Sequence, residues 1–227
     1  MHRTIRVAAV GLALTASAAA RAQQSPAQPQ QHVRGDVVAL SGDTLEVKSR
    51  AGQDLKLKLA ADAKVASVEK ADLGSIGEGV FVGTTAVPQQ DGTLRAVEVH
   101  LFPDAMRGTG EGHRPWDLQP GSTMTNATVA KVQARGGGKP AKQSTMTNAT
   151  VAKVSDAGGS KTLQLKYKDG EKTVVVPPGT PVVKMAPADR SRLTPGAHVF
   201  AIVTRQPDGA LVAQRLTVGQ GDTVPPM

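Results

Sequence analysis

Short runs of alternating apolar and polar residues dominate the chain. Val37-Val38-Ala39-Leu40, Thr44-Leu45-Glu46-Val47-Lys48 and Leu55-Lys56-Leu57-Lys58-Leu59 predict three strands, the last two with the alternation of a half-buried sheet. Ser41-Gly42-Asp43 and Ala51-Gly52-Gln53 supply the turns between them. Val65 to Val68 continues the pattern, and a short helical turn is expected around Ala71-Asp72-Leu73. Gly79 to Gly83 and Leu94 to Leu101 then predict two more strands, joined through Gln90-Asp91-Gly92.

The same order returns in the second half. Leu163-Gln164-Leu165-Lys166 matches Leu45 to Lys48, and Thr173 to Val176 stands where Leu55 to Leu59 stood. Pro187 to Gly196 takes the place of Lys70 to Gly77, Gly196 to Phe200 aligns with Gly77 to Phe81, and Asp208 to Ala213 aligns with Asp91 to Ala96. This is a degenerate tandem repeat. In the last strand of each copy the apolar phase slips by one: Leu94 and Ala96 are followed by Val99 and Leu101, and Leu211 and Ala213 by Leu216 and Val218. One extra residue in a period of two marks a bulge, which bends a strand enough to close a small barrel. The expected fold is therefore all-β, with two small five-stranded OB-like barrels in tandem, each with a short helix between its third and fourth strands. An SH3-like barrel is the alternative. At about 70 residues each, the modules are near the lower limit for an independent core.

The expected boundaries are a first barrel over 33–102, a Gly-rich linker with a partial duplicated strand over 103–143, a second barrel over 144–219 and a tail over 220–227. The duplication is literal: Ser122 to Val132 recurs unchanged as Ser144 to Val154. Only Ala149 to Val154 runs directly into the next strand. The later copy is therefore expected to open the second barrel, and the earlier one to be a spare edge strand or loop.

The amino terminus changes the picture of where the protein works. Basic residues at Arg3 and Arg6, an uncharged run from Val7 to Ala20 and the small Ala20 and Ala22 read as a secretory signal peptide over 1–22, cleaved near Ala22. A Gln/Pro/Ala/Ser-rich tether over 23–32 follows. The expected location is the periplasm or the medium. The signal holds three arginines and no acid, so its removal lowers the formal charge of +8 by three. The remaining basic excess is concentrated between Thr123 and Lys184, scattered among strand residues as on a solvated surface. There is no cysteine, which excludes disulfides, thiolate metal sites and thiol chemistry. No later segment is long and apolar enough for a membrane helix, so an integral membrane protein is not expected.

Gly108-Thr-Gly-Glu-Gly-His-Arg-Pro-Trp-Asp117, followed by Gln119 to Thr128 and later by Val176-Pro-Pro-Gly-Thr-Pro-Val182, carries a family resemblance. The chain resembles a proteobacterial family of secreted domains of unknown function built of tandem OB-like repeats, some of whose members carry a label as metal transporter permeases. The resemblance covers the whole mature chain except for the 22-residue duplication, which departs from the pattern. It implies a fold and a compartment, not an activity, and without a membrane-spanning segment the permease label implies no transport.

Reactive side chains are densest in the joint between the modules. Glu111, His113, Arg114, Trp116 and Asp117 form the candidate ligand-binding or interaction surface, with Trp116 expected to plug a barrel end or an interface. An alternative reading takes His100, Glu111 and His113 as ligands for Zn or Cu, though no fixed His spacing supports it. Met106, Met124, Met146 and Met185 read as separate packing residues. Gly108, Gly110 and Gly112 lack the lysine and the strand-to-helix setting of a phosphate loop. No serine sits in a nucleophile elbow, so an enzyme is not expected. Only Phe81, Phe102, Trp116, Tyr167 and Phe200 are aromatic, which disfavours nucleic acid as a partner. The remaining reading is an exported, non-catalytic binding or interaction protein whose partner is a periplasmic protein, an envelope polymer or a small ligand, with metal binding as the alternative.

Overall fold

A computed structural model of the chain describes residues 30–135 and 159–226. The strands are β1 (Gln30–Ser41), β2 (Thr44–Ser49), β3 (Asp54–Ala71), β4 (Phe81–Pro88), β5 (Leu94–Leu101), β6 (Gly112–Pro115), β7 (Thr123–Arg135), β8 (Ser160–Tyr167), β9 (Gly170–Val176), β10 (Val182–Ala188), β11 (His198–Arg205) and β12 (Leu211–Gly219). The protein is all-β. Its helical content is three-residue 3-10 turns at Leu73–Ser75, Asp104–Met106 and Arg190–Arg192, so the helices expected after the third strand of each copy are reduced to single turns. The signal peptide and most of the tether fall outside the described residues.

Five strands close a barrel in the order β1, β2, β3, β12, β11 and back to β1. Every neighbour is antiparallel except β3 and β12. Inward positions alternate along each strand, and Leu45, Val47, Leu57, Leu59, Ala201 and Ala213 meet in its core. Full burial of each such leucine contributes about 1.5–3 kcal/mol. A second ring of pairings runs β4, β5, β9, β8, β7 and back to β4 around Val82, Val99, Ala127, Leu163, Leu165 and Val174. Its closing contact is short: β5 and β9 pair in parallel only at Leu94–Val174 and Arg95–Val175.

Neither ring is built from one continuous stretch of chain, which corrects the expectation of tandem barrels over 33–102 and 144–219. β1 to β3 take β11 and β12 from the far end of the sequence, while β4 and β5 join β7 to β9. The alternation of a strand tells which face is buried but not which copy supplies its neighbour. The length of β3 decides between the two. One edge of β3 pairs with β12 at Leu57–Leu59 and again at Lys64–Val68, while its other edge pairs with β2 over Asp54–Lys58 and then with β10 over Val65–Ala71. The chain is thereby carried out of one ring before β4 begins.

The bulges fall where the phase slip placed them. Thr85 faces Glu98 and Ala86 faces Ala96, leaving Val97 as the extra residue on β5; Ile202 faces Arg215 and Val203 faces Ala213, leaving Gln214 extra on β12. The duplicated segment behaves differently from expectation. The earlier copy lies in β7, which pairs with β4, β6 and β8, so Thr123 to Arg135 belongs to a ring rather than to a linker. The later copy lies outside the described residues. β7 extends far enough for Arg135 to face Ser160 across the ladder, so direct continuity with the later copy is not needed to reach β8. Order also starts before Val33, since Gln30 to His32 already pair with Thr204 to Ile202. At the other end, Thr223 and Pro225 are buried, so the last residues pack back on the sheet rather than trailing as a tail.

Asp36 on β1 and His198 on β11 face each other and form a side-chain hydrogen bond, although a tandem arrangement puts them in separate modules. Because the chain lacks cysteine, the double variant D36C/H198C reports this pairing cleanly. Mild oxidation of the folded protein is expected to give a monomer that migrates faster on non-reducing gels, by closing a loop through most of the chain. Two free thiols after oxidation would contradict the strand exchange.

Candidate functional site

Where the two rings meet, their outward positions face each other instead of water. On β11 Val199, Ala201 and Val203 point into the barrel, so Phe200 and Ile202 point out. On β5 Val99 and Leu101 fill the second ring, which turns Glu98 and His100 outward; on β7 Ala127 and Val129 do the same, turning Met124 and Asn126 outward. Ala66, Val68, Val183, Met185 and Phe200 form a third apolar cluster between the rings, over the β3–β10 pair.

The joint between β5 and β7 roofs this space. Phe102, Met106 and Trp116 pack down on the third cluster, and β6 adds to the edge of β7 with Arg114 facing Met124 and His113 facing Thr125. Glycine lets the roof sit low. A Cβ on Gly110, whose φ of +57° is itself glycine-like, would come within 3.2 Å of Asn126 Nδ2. That amide donates to the Thr109 carbonyl at 3.0 Å, and Arg114 donates to the Gly110 carbonyl at 2.8 Å. Gly83 on β4 makes room on the other side, where a Cβ would lie 2.6 Å from Asn126 Oδ1.

Beneath the roof is a cavity of about 420 Å³. Its walls are largely apolar, with Phe102, Met106, Trp116, Met185, Phe200 and Ile202 among them. Three wall residues have a polar atom buried without a hydrogen-bonding partner: Trp116 Nε1, His100 Nε2 and Asn126 Oδ1. His100 Nε2 lies 3.3 Å from Glu98 Oε1 but out of line for a hydrogen bond, and that carboxylate oxygen already accepts from the Thr85 hydroxyl at 2.6 Å. Lys64, Arg114 and Arg215 also line the cavity, and no acidic residue does. None of the three forms an ion pair with a described carboxylate. Burial, and then the Arg215 guanidinium, lower the pKa of Arg114 from its ordinary value.

The sequence-derived residues divide at β6, because neighbouring side chains on a strand point to opposite faces. Arg114 and Trp116 reach the cavity. His113 turns away and shares a hydrogen bond of 2.8 Å with the Thr125 hydroxyl, while Glu111 accepts from the Lys168 backbone amide at 2.9 Å. Asp117 sits behind the wall, where His32 Nδ1 lies 2.7 Å and Arg34 donates at 2.8 Å from one carboxylate oxygen. The His32 ring stacks on Trp116 at 4.3 Å and approaches Phe200 at 5.4 Å, so β1 pins the roof to the barrel. The five residues are therefore not one contact surface.

Nor are the proposed metal ligands one site. Among the described residues no three His, Cys, Asp or Glu side chains are grouped to hold a metal ion, and His100, Glu111 and His113 have separate surroundings. Burial, then Lys172 and Arg114, lower the His113 pKa, an electropositive setting that opposes a bound cation. The thioethers of Met106, Met124 and Met185 do converge on the cavity and are of the soft type that suits Cu(I), but they share it with three cations.

Reading the methionines separately missed this convergence, and aligning Phe200 with Phe81 did not show that it faces out of the barrel. A signal was present: Val199-Phe200-Ala201-Ile202-Val203 is apolar without alternation, as a strand covered on both faces must be.

Burial works against ionisation of Asp117, but the hydrogen bonds from Arg34 and His32 outweigh it and hold the carboxyl below its ordinary range. A lowered folded-state pKa stabilises above the unfolded value and stops doing so as pH falls through the folded one. The stability difference between wild type and D117N should therefore be present at neutral pH and close as acid protonates Asp117. The side chain is half exposed, which limits the difference to about 1 kcal/mol or less. Urea unfolding at a series of pH values checks it; a difference that grows towards acid would contradict the latch.

No helix among the described residues is long and apolar enough to cross a membrane. No protein-family model, curated protein or solved structure matches the chain, so the chemistry of the cavity is read from its own residues.

Proposed function

We propose that the protein is an exported, non-catalytic binding protein that holds one small molecule with an apolar body in the cavity between the rings. The observation that carries this reading is a largely apolar cavity whose wall residues bear three buried polar atoms without a hydrogen-bonding partner, Trp116 Nε1, His100 Nε2 and Asn126 Oδ1. An unpaired buried group costs about 1–3 kcal/mol, a cost that a bound ligand with matching polar atoms removes. The volume is in the range of small-molecule sites, which pair apolar walls with a few polar groups.

A small ligand is favoured over a protein or polymer partner. Val38 and Val224 are the only exposed large apolar side chains among the described residues, which leaves little surface for a protein to cover. The non-catalytic reading rests on the lining: a carboxylate, Glu98, lies beside His100, but no serine or cysteine lines the cavity to act as a nucleophile with it. Export rests on the signal-like amino terminus, whose removal after Ala22 leaves β1 whole from Gln30.

The finer fold reading is OB-like. In each ring a three-strand meander meets a parallel strand at one edge and an antiparallel strand at the other, and each ring takes that last pair from the other copy of the repeat. This topology supports the reading of the joint motif as a resemblance to secreted domains of unknown function.

Titration with N-phenyl-1-naphthylamine, an uncharged apolar fluorophore, tests the binding reading. One saturable site per chain is expected. Ala105 is an exposed residue on the cavity wall, so A105W should crowd the cavity without disturbing either core and weaken binding by about tenfold or more. Absence of saturable binding to wild type, or equal binding to A105W, would overturn the proposal.

A further inference from the structure

The cavity's polarity is one-sided. We infer that its ligand is an organic monoanion: an apolar or aromatic body carrying one carboxylate, sulfonate or phosphate head, with the head held by Arg114, Arg215 and the Trp116 indole N–H. This inference rests on the binding reading above and assigns the class of molecule.

Three observations lead to it. First, Lys64, Arg114 and Arg215 come from three separate elements, β3, β6 and β12, and converge on one cavity that no carboxylate lines. Arg34, Arg107, Arg190 and Lys56 each have a carboxylate partner, Asp117, Asp104, Asp43 and Glu46. What sets the cavity apart is that three cations share one wall without a carboxylate, and an anion between Arg114 and Arg215 relieves the unfavourable effect of one guanidinium on the other.

Second, the unpaired indole of Trp116 asks for an acceptor. Indole Nε1–H can only donate, so what satisfies Trp116 must accept. The Arg114 guanidinium lies 5.5 Å from the centre of the Trp116 ring, so an oxyanion at Arg114 is within reach of the indole edge. One guanidinium N–H of Arg114 is already committed to the Gly110 carbonyl, which fixes the side chain and leaves the remaining donors of its fork for a ligand.

Third, two of the three charges are at the rim, with Arg114 half-buried beside them, and the apolar groups are inside. Lys64 and Arg215 are exposed, whereas Met124, Met185 and Phe200 are buried. An anion with its head at the rim keeps part of its hydration while its body leaves water, the arrangement with the lowest desolvation cost. A free metal cation or a cationic ligand would meet the same three charges unfavourably. The space is also too small for a two-chain phospholipid, so the body belongs to a small molecule.

A matched pair of probes tests this. 8-Anilino-1-naphthalenesulfonate and N-phenyl-1-naphthylamine share one aromatic body and differ by the sulfonate. At low ionic strength the sulfonate is expected to bind wild type about tenfold or more tightly than the neutral probe, and about 0.5 M NaCl should shrink the ratio. R215M, at the exposed rim, should lower the ratio at least about fivefold, and R114M should do the same. Decanoate should displace the sulfonate probe, whereas inorganic phosphate, a head without a body, should not. If the neutral probe binds and the sulfonate adds nothing, or if R215M weakens both probes alike, the anion assignment fails while the binding reading stands. If displacement by phosphate equals that by decanoate, the charges act as a surface patch and the assignment fails. If neither probe binds, both proposals fall.

Discussion

The parallel pairing of β3 with β12 is the contact on which the rest of the molecule depends. It joins the first part of the chain to the last, closes the barrel and makes everything between β4 and β10 an insertion. Parallel neighbours cannot be joined by a tight turn. Here the connection is more than a hundred residues long, and it folds into the second ring. The two rings are thus held by covalent crossings as well as by packing, and the β3–β10 ladder between them is a shared wall.

The cavity is a geometric consequence of that exchange. The barrel and the second ring are joined through β10, which pairs with β3 and, in parallel, with β5, and beside that ladder their convex outer faces leave a gap that a flat sheet interface would not. Large side chains at Phe200, Ile202, Met124 and Met185 fill part of it. The joint covers what remains, fixed by β6 on β7, by Arg107 on the Gly79 carbonyl and by Asp117 on Arg34 and His32. Each fastener is polar and lies outside the cavity, so its interior stays apolar while its rim keeps the unpaired cations.

Much of this architecture was legible from residue order. The strands β1 to β5, β8, β9, β11 and β12, the turns at Gly42, Gly52 and Gly92, and the bulges at Val97 and Gln214 follow from alternation and its interruption, because those are local constraints, whereas β6 and β10 carry no such signal. Partner choice is not local. Val129 and Val37 make the same contact in their respective rings, each just before a register shift, and nothing in the alternation says that β4 should pair with β7 rather than with β1. The identical letters of Ser122–Val132 and Ser144–Val154 hid which copy enters the ring for the same reason. In the joint, proximity in sequence suggested one cluster from Glu111 to Asp117. The strand geometry of β6 sends Arg114 and Trp116 inward and leaves His113 against Thr125, so the site is completed by Lys64, Arg215 and Met185, which no spacing rule connects.

The chain's single tryptophan is the most direct witness to the central claim, that the cavity accepts an anionic small molecule. In a proton–nitrogen correlation spectrum of the labelled protein, the one indole Nε1–H resonance reports Trp116 alone. On addition of decanoate the account predicts that this resonance shifts downfield, as a new hydrogen bond to the carboxylate requires, and saturates at one decanoate per chain. An indole resonance that stays fixed while decanoate binds elsewhere, or does not bind, would contradict it.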